Sequence, residues 1–306
     1  MPIPDLEEIA AGLLRLFPDL SNISPLQFLG EGFRNVAVET ASGYVFRIAK
    51  SREAAIGHIR EANLLPALRG HIPTPILIPA PQWYSGSSDA FSYGLLGYRK
   101  LPGVQLDPAR LASTHLDSIT RDLAAFIMAL HSFPVENALS CGLTQAEFSD
   151  IDALVSLRDT VMPVVEMKLS AREHITIARW WDNLLQDDSF RTFRPVVHHG
   201  DLWYDHILID SSLSRVVGIF DFESAAIGDP AQDFATLLHL GRLFTGRVID
   251  AYSAAGGVLD AGFSHRLQKL WELREFDGLH TAISTGDAPE IQDAIRKLRT
   301  GPVLNP

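Results

Sequence analysis

The chain has 306 residues and only one cysteine, Cys141, so it forms no internal disulfide; no cysteine–histidine cluster has the spacing of a zinc site. Long apolar runs are missing too, with nothing near the ~18 residues that cross a bilayer. The opening Met1-Pro2-Ile3-Pro4-Asp5 lacks the basic start and apolar core of an export signal, so a cytoplasmic protein is expected. Positive charge is scarce. Twenty-six lysines and arginines against 37 acids leave a net charge of -11, which argues against nucleic acid or an anionic membrane as partner. There are no repeats and no low-complexity linkers. The remaining composition, 46% hydrophobic and 21% charged, is that of a globular chain long enough for two cores.

The most informative stretch is residues 196–234. Two short β-branched runs, 207–209 and 216–220, are bounded by acidic or serine-rich turns and predict a buried hairpin. Asp201 and His206 precede the first run, and Asp221 follows the second. A rigid hairpin would hold these groups at fixed separations over one loop, a place to bind a hard cation and orient a hydroxyl. The order His-x-Asp, a ligand five residues later, then Asp after the next strand, is that of a kinase catalytic loop and its metal-binding acid.

His199-Gly200-Asp201-Leu202, His206 followed by Ile207-Leu208, Asp221, Asp229-Pro230 and Asp233-Phe234 resemble the aminoglycoside phosphotransferase family. The resemblance implies an α+β, bilobal, protein-kinase-like fold. An antiparallel sheet with one helix would form a nucleotide-binding lobe over residues 1–101, and a mainly helical catalytic and substrate-binding lobe would span 102–306. It also implies transfer of the γ-phosphoryl of ATP or GTP to a hydroxyl, with Asp201 as acceptor-orienting base. Asp221 and His206 would hold Mg²⁺. Imidazole is a softer donor than the asparagine of protein kinases, which leaves Mn²⁺ open as well. Members with histidine at this position include aminoglycoside 2″- and macrolide phosphotransferases. Asp233 is expected to brace the loop from inside, and His131 to be structural.

The other kinase parts occur in order. A helix over 5–17 precedes strand, glycine loop and hairpin at 28–50, where Gly30 and Gly32 would admit phosphates close to the backbone. Asn35 stands where a protein kinase has its third glycine. Arg47, among apolar strand neighbours, needs an anionic partner and occupies the place of the kinase strand lysine. The helix over 51–68 offers Glu61, expected over Glu53 as that partner. Strands at 83–84 and 91–98 lead to a hinge at 98–103, where the backbone of Tyr98, Arg99, Lys100 and Leu101 would meet the purine. Helices are expected at 116–130, 152–157, 161–169, 175–185, 231–243, 268–283 and 289–299.

The acceptor is less determined. A small hydroxylated molecule is implied, and the acidic balance suits a cationic one. Trp203 and Tyr204 beside Asp201 are candidates to stack on a sugar. Trp271, Glu272, Glu275 and Asp277 are candidates to hold aminoglycoside amines, and the Trp180-Trp181 helix would line an apolar pocket for a macrolide. A metabolic hydroxyl or amine substrate, and a nucleotide-binding pseudokinase, are the other readings.

Overall fold

The computed structural model describes residues 5–110 and 115–305. Helix α1 (Leu6–Leu16) starts where Asp5 accepts hydrogen bonds from the Glu7 and Glu8 amides. Its Ile9 and Leu13 pack with Phe46, Phe91 and Leu95 to form the small N-terminal core. Strands β1 (Gln27–Glu31), β2 (Asn35–Glu39) and β3 (Tyr44–Ala49) form a meander. Helix α2 (Arg52–Leu68) follows, capped by the Ser51 hydroxyl. Strands β4 (Pro81–Ser85) and β5 (Leu95–Arg99) complete an antiparallel sheet in the order β1-β2-β3-β5-β4. The expected strand at 91–98 thus begins later, because Phe91 to Gly94 form a turn and Gly94 has φ +85°.

Past β5 the chain is mainly helical. A short strand β6 (Val104–Gln105) precedes α3 (Leu116–His131), whose Ile119, Leu123, Phe126, Ile127 and Leu130 are fully buried. Helices α4 (Val135–Ser140), α5 (Ile151–Lys168) and α6 (Ala171–Leu185) follow. The two helices expected at 152–157 and 161–169 are one, and Pro163 lies within it. Strand β7 (Val196–His198) leads to the expected hairpin of β8 (Ile207–Ile209) and β9 (Val216–Ile219). Here β6-β8-β9 form one sheet, while β7 pairs with β10 (Ala226–Gly228). Helix α7 (Ala231–Leu237) stops short of residue 243 because Gly241, at φ +95°, redirects the chain into α8 (Arg242–Ala254), which periodicity did not predict. Helices α9 (Phe263–Thr285) and α10 (Ala288–Thr300) close the fold.

The α+β architecture is the expected one. The Trp180-Trp181 pocket is not. Trp181 is wholly buried, and Trp180 stacks on Phe276 at 5.0 Å, so the pair is core rather than pocket wall. No helix among the described residues is long and apolar enough to cross a membrane.

Candidate active site

Two backbone constraints shape the loop before β8. Gly200 has φ +80°, and a Cβ there would lie 2.3 Å from the Ser224 carbonyl oxygen, so only glycine fits. Asp233, buried at the start of α7, accepts the amides of His199 at 3.1 Å and Gly200 at 2.9 Å. The same carboxylate takes His131 Nε2 at 3.3 Å, while His131 Nδ1 meets the Tyr252 hydroxyl at 3.0 Å. Burial opposes ionisation of Asp233, but the His131 hydrogen bond and the surrounding imidazoles outweigh it and lower the pKa to about 2. Asp233 is thus a fixed charge bracing the loop, and His131 is structural.

The loop delivers its chemistry to one imidazole. His206 Nδ1 lies 2.9 Å from the Asp201 carbonyl oxygen, which accepts its proton and leaves the lone pair on Nε2. Nδ1 is 3.5 Å from Asp201 Oδ2, and Nε2 is 3.5 Å from Asp221 Oδ2. Asp221 follows β9 in the left-handed region, at φ 67° and ψ 66°, which turns it back over the loop. Both acids remain partly open to solvent, on opposite edges of the same ring.

From the sheet, Arg47 reaches down to the same place. Its Nη1 donates to both Glu61 carboxylate oxygens at 2.8 and 2.9 Å, so Glu61 rather than Glu53 is its helix partner. Its Nη2 lies 3.0 Å from Asp221 Oδ1 and 2.9 Å from Glu223 Oε2. Glu223 was not read from the sequence, where an acid two residues past Asp221 was the only signal. It also accepts from Asn35 Nδ2 at 3.0 Å, and its packing on Gly57 leaves no room there for a side chain. Three carboxylates around one guanidinium leave two uncompensated negative charges. Burial, with the neighbouring acids, raises Glu61 to about 7 despite Arg47, and burial also raises Glu223. For Asp221, burial is outweighed by Arg47 and His206, and its carboxyl stays below the usual range.

Gly30 lies in β1 and Gly32 in the turn after it. Neither has positive φ, and a Cβ on either would meet nothing closer than 3.9 Å, so neither packing nor backbone conformation requires glycine there. Lys50 Nζ ties the turn down through Glu31 at 2.6 Å and the Gly32 carbonyl at 3.2 Å. The hinge residues are placed less as expected. Tyr98 is buried, and that burial raises its phenol pKa. Arg99 Nη1 donates to the Ser42 carbonyl, and Lys100 Nζ pairs with Glu39, so both side chains point to the β2–β3 turn. The Lys100 amide is bonded to the Gly43 carbonyl at 3.0 Å and is not free for a purine. Leu101 reaches over Gly218 of β9.

On the acceptor side, Trp203 stacks on Tyr204 with centroids 4.2 Å apart and meets His239 at 4.7 Å; His239 in turn meets Trp271 at 5.0 Å. The expected acids do not gather here. Glu272 is buried, accepting from Trp180 Nε1 at 2.7 Å, Gln268 Nε2 at 2.8 Å and Lys269 Nζ at 2.9 Å, so its carboxylate is already satisfied. Burial raises Glu275, and Lys297, then Arg274, opposes that rise. Asp277 alone opens into a recess, about 240 Å³, shared with Glu147, Leu157 and His280. Asp277 is itself exposed, and partial desolvation by the recess, with Glu147, pushes its carboxyl above the usual range.

No three histidine, cysteine or carboxylate side chains converge as a metal cage among the described residues. Magnesium does not need one. It binds through one or two protein ligands and completes its shell with water and phosphate oxygens. The free Nε2 of His206 and the ionised Asp221 beside it fit that requirement.

Comparison with known proteins agrees with this geometry. The chain is 29% identical to the protein in the GDP and kanamycin complex of APH(2")-IIIa, with a TM-score of 0.85 and coverage of 97% of this chain and 98% of that one. Viomycin phosphotransferase of Streptomyces vinaceus is 25% identical over 272 residues, which are 87% of this chain and 90% of that protein. Macrolide 2'-phosphotransferase MphH from Brachybacterium faecium, at 21% identity and a TM-score of 0.69 over 96% of this chain and 98% of that one, shares the fold. Residues 25–270 match the model of the phosphotransferase enzyme family, and the chain belongs to that family, whose members transfer phosphoryl groups to hydroxyls.

Proposed function

We propose that the protein transfers the γ-phosphoryl of ATP or GTP to a hydroxyl of a small molecule, with Asp201 as the orienting base. The observation that carries this is the placement of Asp201 and Asp221 at opposite nitrogens of the His206 ring, each 3.5 Å away. Asp201 accepts a hydrogen bond from the acceptor hydroxyl and takes its proton as the phosphoryl leaves the nucleotide. Arg47 and the Gly30–Gly32 backbone hold the phosphates; Glu61 keeps Arg47 in place. Asp221 and His206 hold the divalent cation, which supplies charge neutralisation of the phosphates. Bringing phosphates to Arg47 requires Asp221 and Glu223 to release part of its Nη2 contact, and the freed Asp221 carboxylate would then be available to hold the divalent cation.

An aminoglycoside acceptor modified at a 2″-type hydroxyl is supported by the likeness to the kanamycin complex and by Asp277 in its acidic recess. A second reading, a hydroxylated acceptor that is not a polycation, is favoured by Glu272 being consumed in the core. Asp201→Ala tests the base. Nucleotide and metal binding should persist within threefold while turnover falls by at least ~10³, the scale of a lost general base with its positioning. Unchanged residual turnover removes Asp201 from the mechanism, and a wild type with no turnover on a panel of aminoglycosides, macrolides and amino alcohols points to a pseudokinase.

A further inference from the structure

Arg274 on α9, half-buried, differs from the two buried arginines among the described residues, Arg47 and Arg266. Arg47 has three carboxylates, and Arg266 has two, Asp229 at 2.6 Å and Asp260 at 2.8 Å. Arg274 forms no hydrogen bond and no ion pair among the described residues, and its Nη1 is sealed from solvent without a partner. Its only close contact of note is the Trp271 ring, 5.5 Å below the guanidinium, as expected for residues three apart on one helix face. Beside it, His239 Nε2 is also buried and unpartnered. Through Trp271, His239 and Trp203, these two orphaned groups form one continuous panel that runs into the catalytic loop, two residues from Asp201. The nearby carboxylates of Glu275, Asp201 and Asp277 act on Arg274 only through space, and burial lowers its pKa. None of them reaches Nη1, and a sealed N–H without an acceptor is costly unless something else supplies one.

We infer that Arg274 and His239 form an anion-binding subsite of the acceptor cleft, which takes a carboxylate of a hydroxylated acceptor and sets its hydroxyl toward Asp201. Arg274 offers a planar fork that grips a carboxylate bidentately while lying flat on Trp271. His239 offers one further polar contact, and Trp203 a flat surface for the carbon skeleton. The acceptor would then be selected by a negative group close to the reacting hydroxyl, with any amine directed to the Asp277 recess. The inference rests on the kinase reading of the cleft and narrows its second acceptor class.

The test uses the full chain and three sugars that share one ring and differ in charge: glucuronate, glucose and glucosamine, titrated calorimetrically at matched ionic strength. Wild type should bind glucuronate at least tenfold more tightly than the other two, and Arg274→Gln should abolish that preference, with Arg274→Lys retaining part of it. Ligand-free Arg274→Gln should melt no lower than wild type, since it removes an unpaired charge. Absent or equal binding of glucuronate, tighter binding of glucosamine, or a variant that melts clearly lower would overturn the subsite, the last by making Arg274 a structural prop. Binding of ATP and GTP with Mg²⁺ is measured on the same samples. Its loss in wild type would refute the kinase reading, whereas nucleotide binding without glucuronate preference refutes the subsite alone.

Discussion

Replacing Asp233 with asparagine should separate the bracing of the catalytic loop from its chemistry. The Asp233 carboxylate is fully buried and accepts from His199, Gly200 and His131. Its pKa is lowered from 3.8 to about 2 in the fold, which favours the ionised folded form by roughly 2 kcal/mol. A group depressed in this way contributes its stability above the unfolded value, and the contribution is lost as the pH falls from 3.8 toward 2. Asparagine has one acceptor oxygen for three donors, and its amide would face an N–H group. The expected cost at pH 7 is therefore about 3 kcal/mol, the upper range for a lost charge-assisted bond plus a stranded donor. Urea unfolding should show a lower midpoint with an unchanged slope. The wild type and variant should draw together below the unfolded value of 3.8 and converge only below about pH 2, because protonation removes the same charge. Nucleotide affinity should change little, since Arg47 and Asp221 are not touched. A variant within 1 kcal/mol of wild type at pH 7, or one whose deficit persists undiminished at pH 2.5, would refute the assignment of Asp233 as a fixed charge.

Gly200→Ala should destabilise by about 3 kcal/mol or leave the loop misplaced, since the new Cβ meets the Ser224 carbonyl at 2.3 Å with φ held at +80°; wild-type melting and turnover would contradict this. Glu223→Gln removes one of two uncompensated negative charges. Raised acids cost stability as pH climbs through their folded values, so the melting temperature of the variant relative to wild type should be higher at pH 8 than at pH 5 in metal-free buffer. A difference independent of pH would count against the charge excess. His58, buried with both ring nitrogens unpartnered, has its pKa lowered to about 3 by burial and Arg47. Its stability contribution is present above 6.5 and fades as the pH drops toward 3, so His58→Leu should lessen acid sensitivity between pH 6 and 4 by unfolding assay.

The sequence made the catalytic hairpin legible because short β-branched runs between polar turns have few other uses, and the acids at their ends occur in an ordered series. Arg47 was legible through the cost of burying a cation, and Glu61 through its place further along the helix. Glu223 was not, because its meaning depends on Arg47 and on Asn35, the latter 188 residues away in sequence. Arg274 was missed for the opposite reason. Its significance is the absence of a partner, which no spacing rule reveals. The acids of α9 have different surroundings although residues 272, 275 and 277 are close in sequence, which the sequence alone did not signal. Glu272 turns inward to Trp180, and only Asp277 reaches the recess. The break between α7 and α8 depended on one glycine whose conformation the apolar pattern did not signal.

His206 touches the two active carboxylates with opposite edges of a rigid flat ring. It therefore works as a gauge block, fixing the gap between Asp201, proposed to receive the hydroxyl proton, and Asp221, proposed to meet the cation. A shorter side chain at that position would let the gap drift even if each acid kept its charge, and the span across which a phosphoryl group must travel would drift with it.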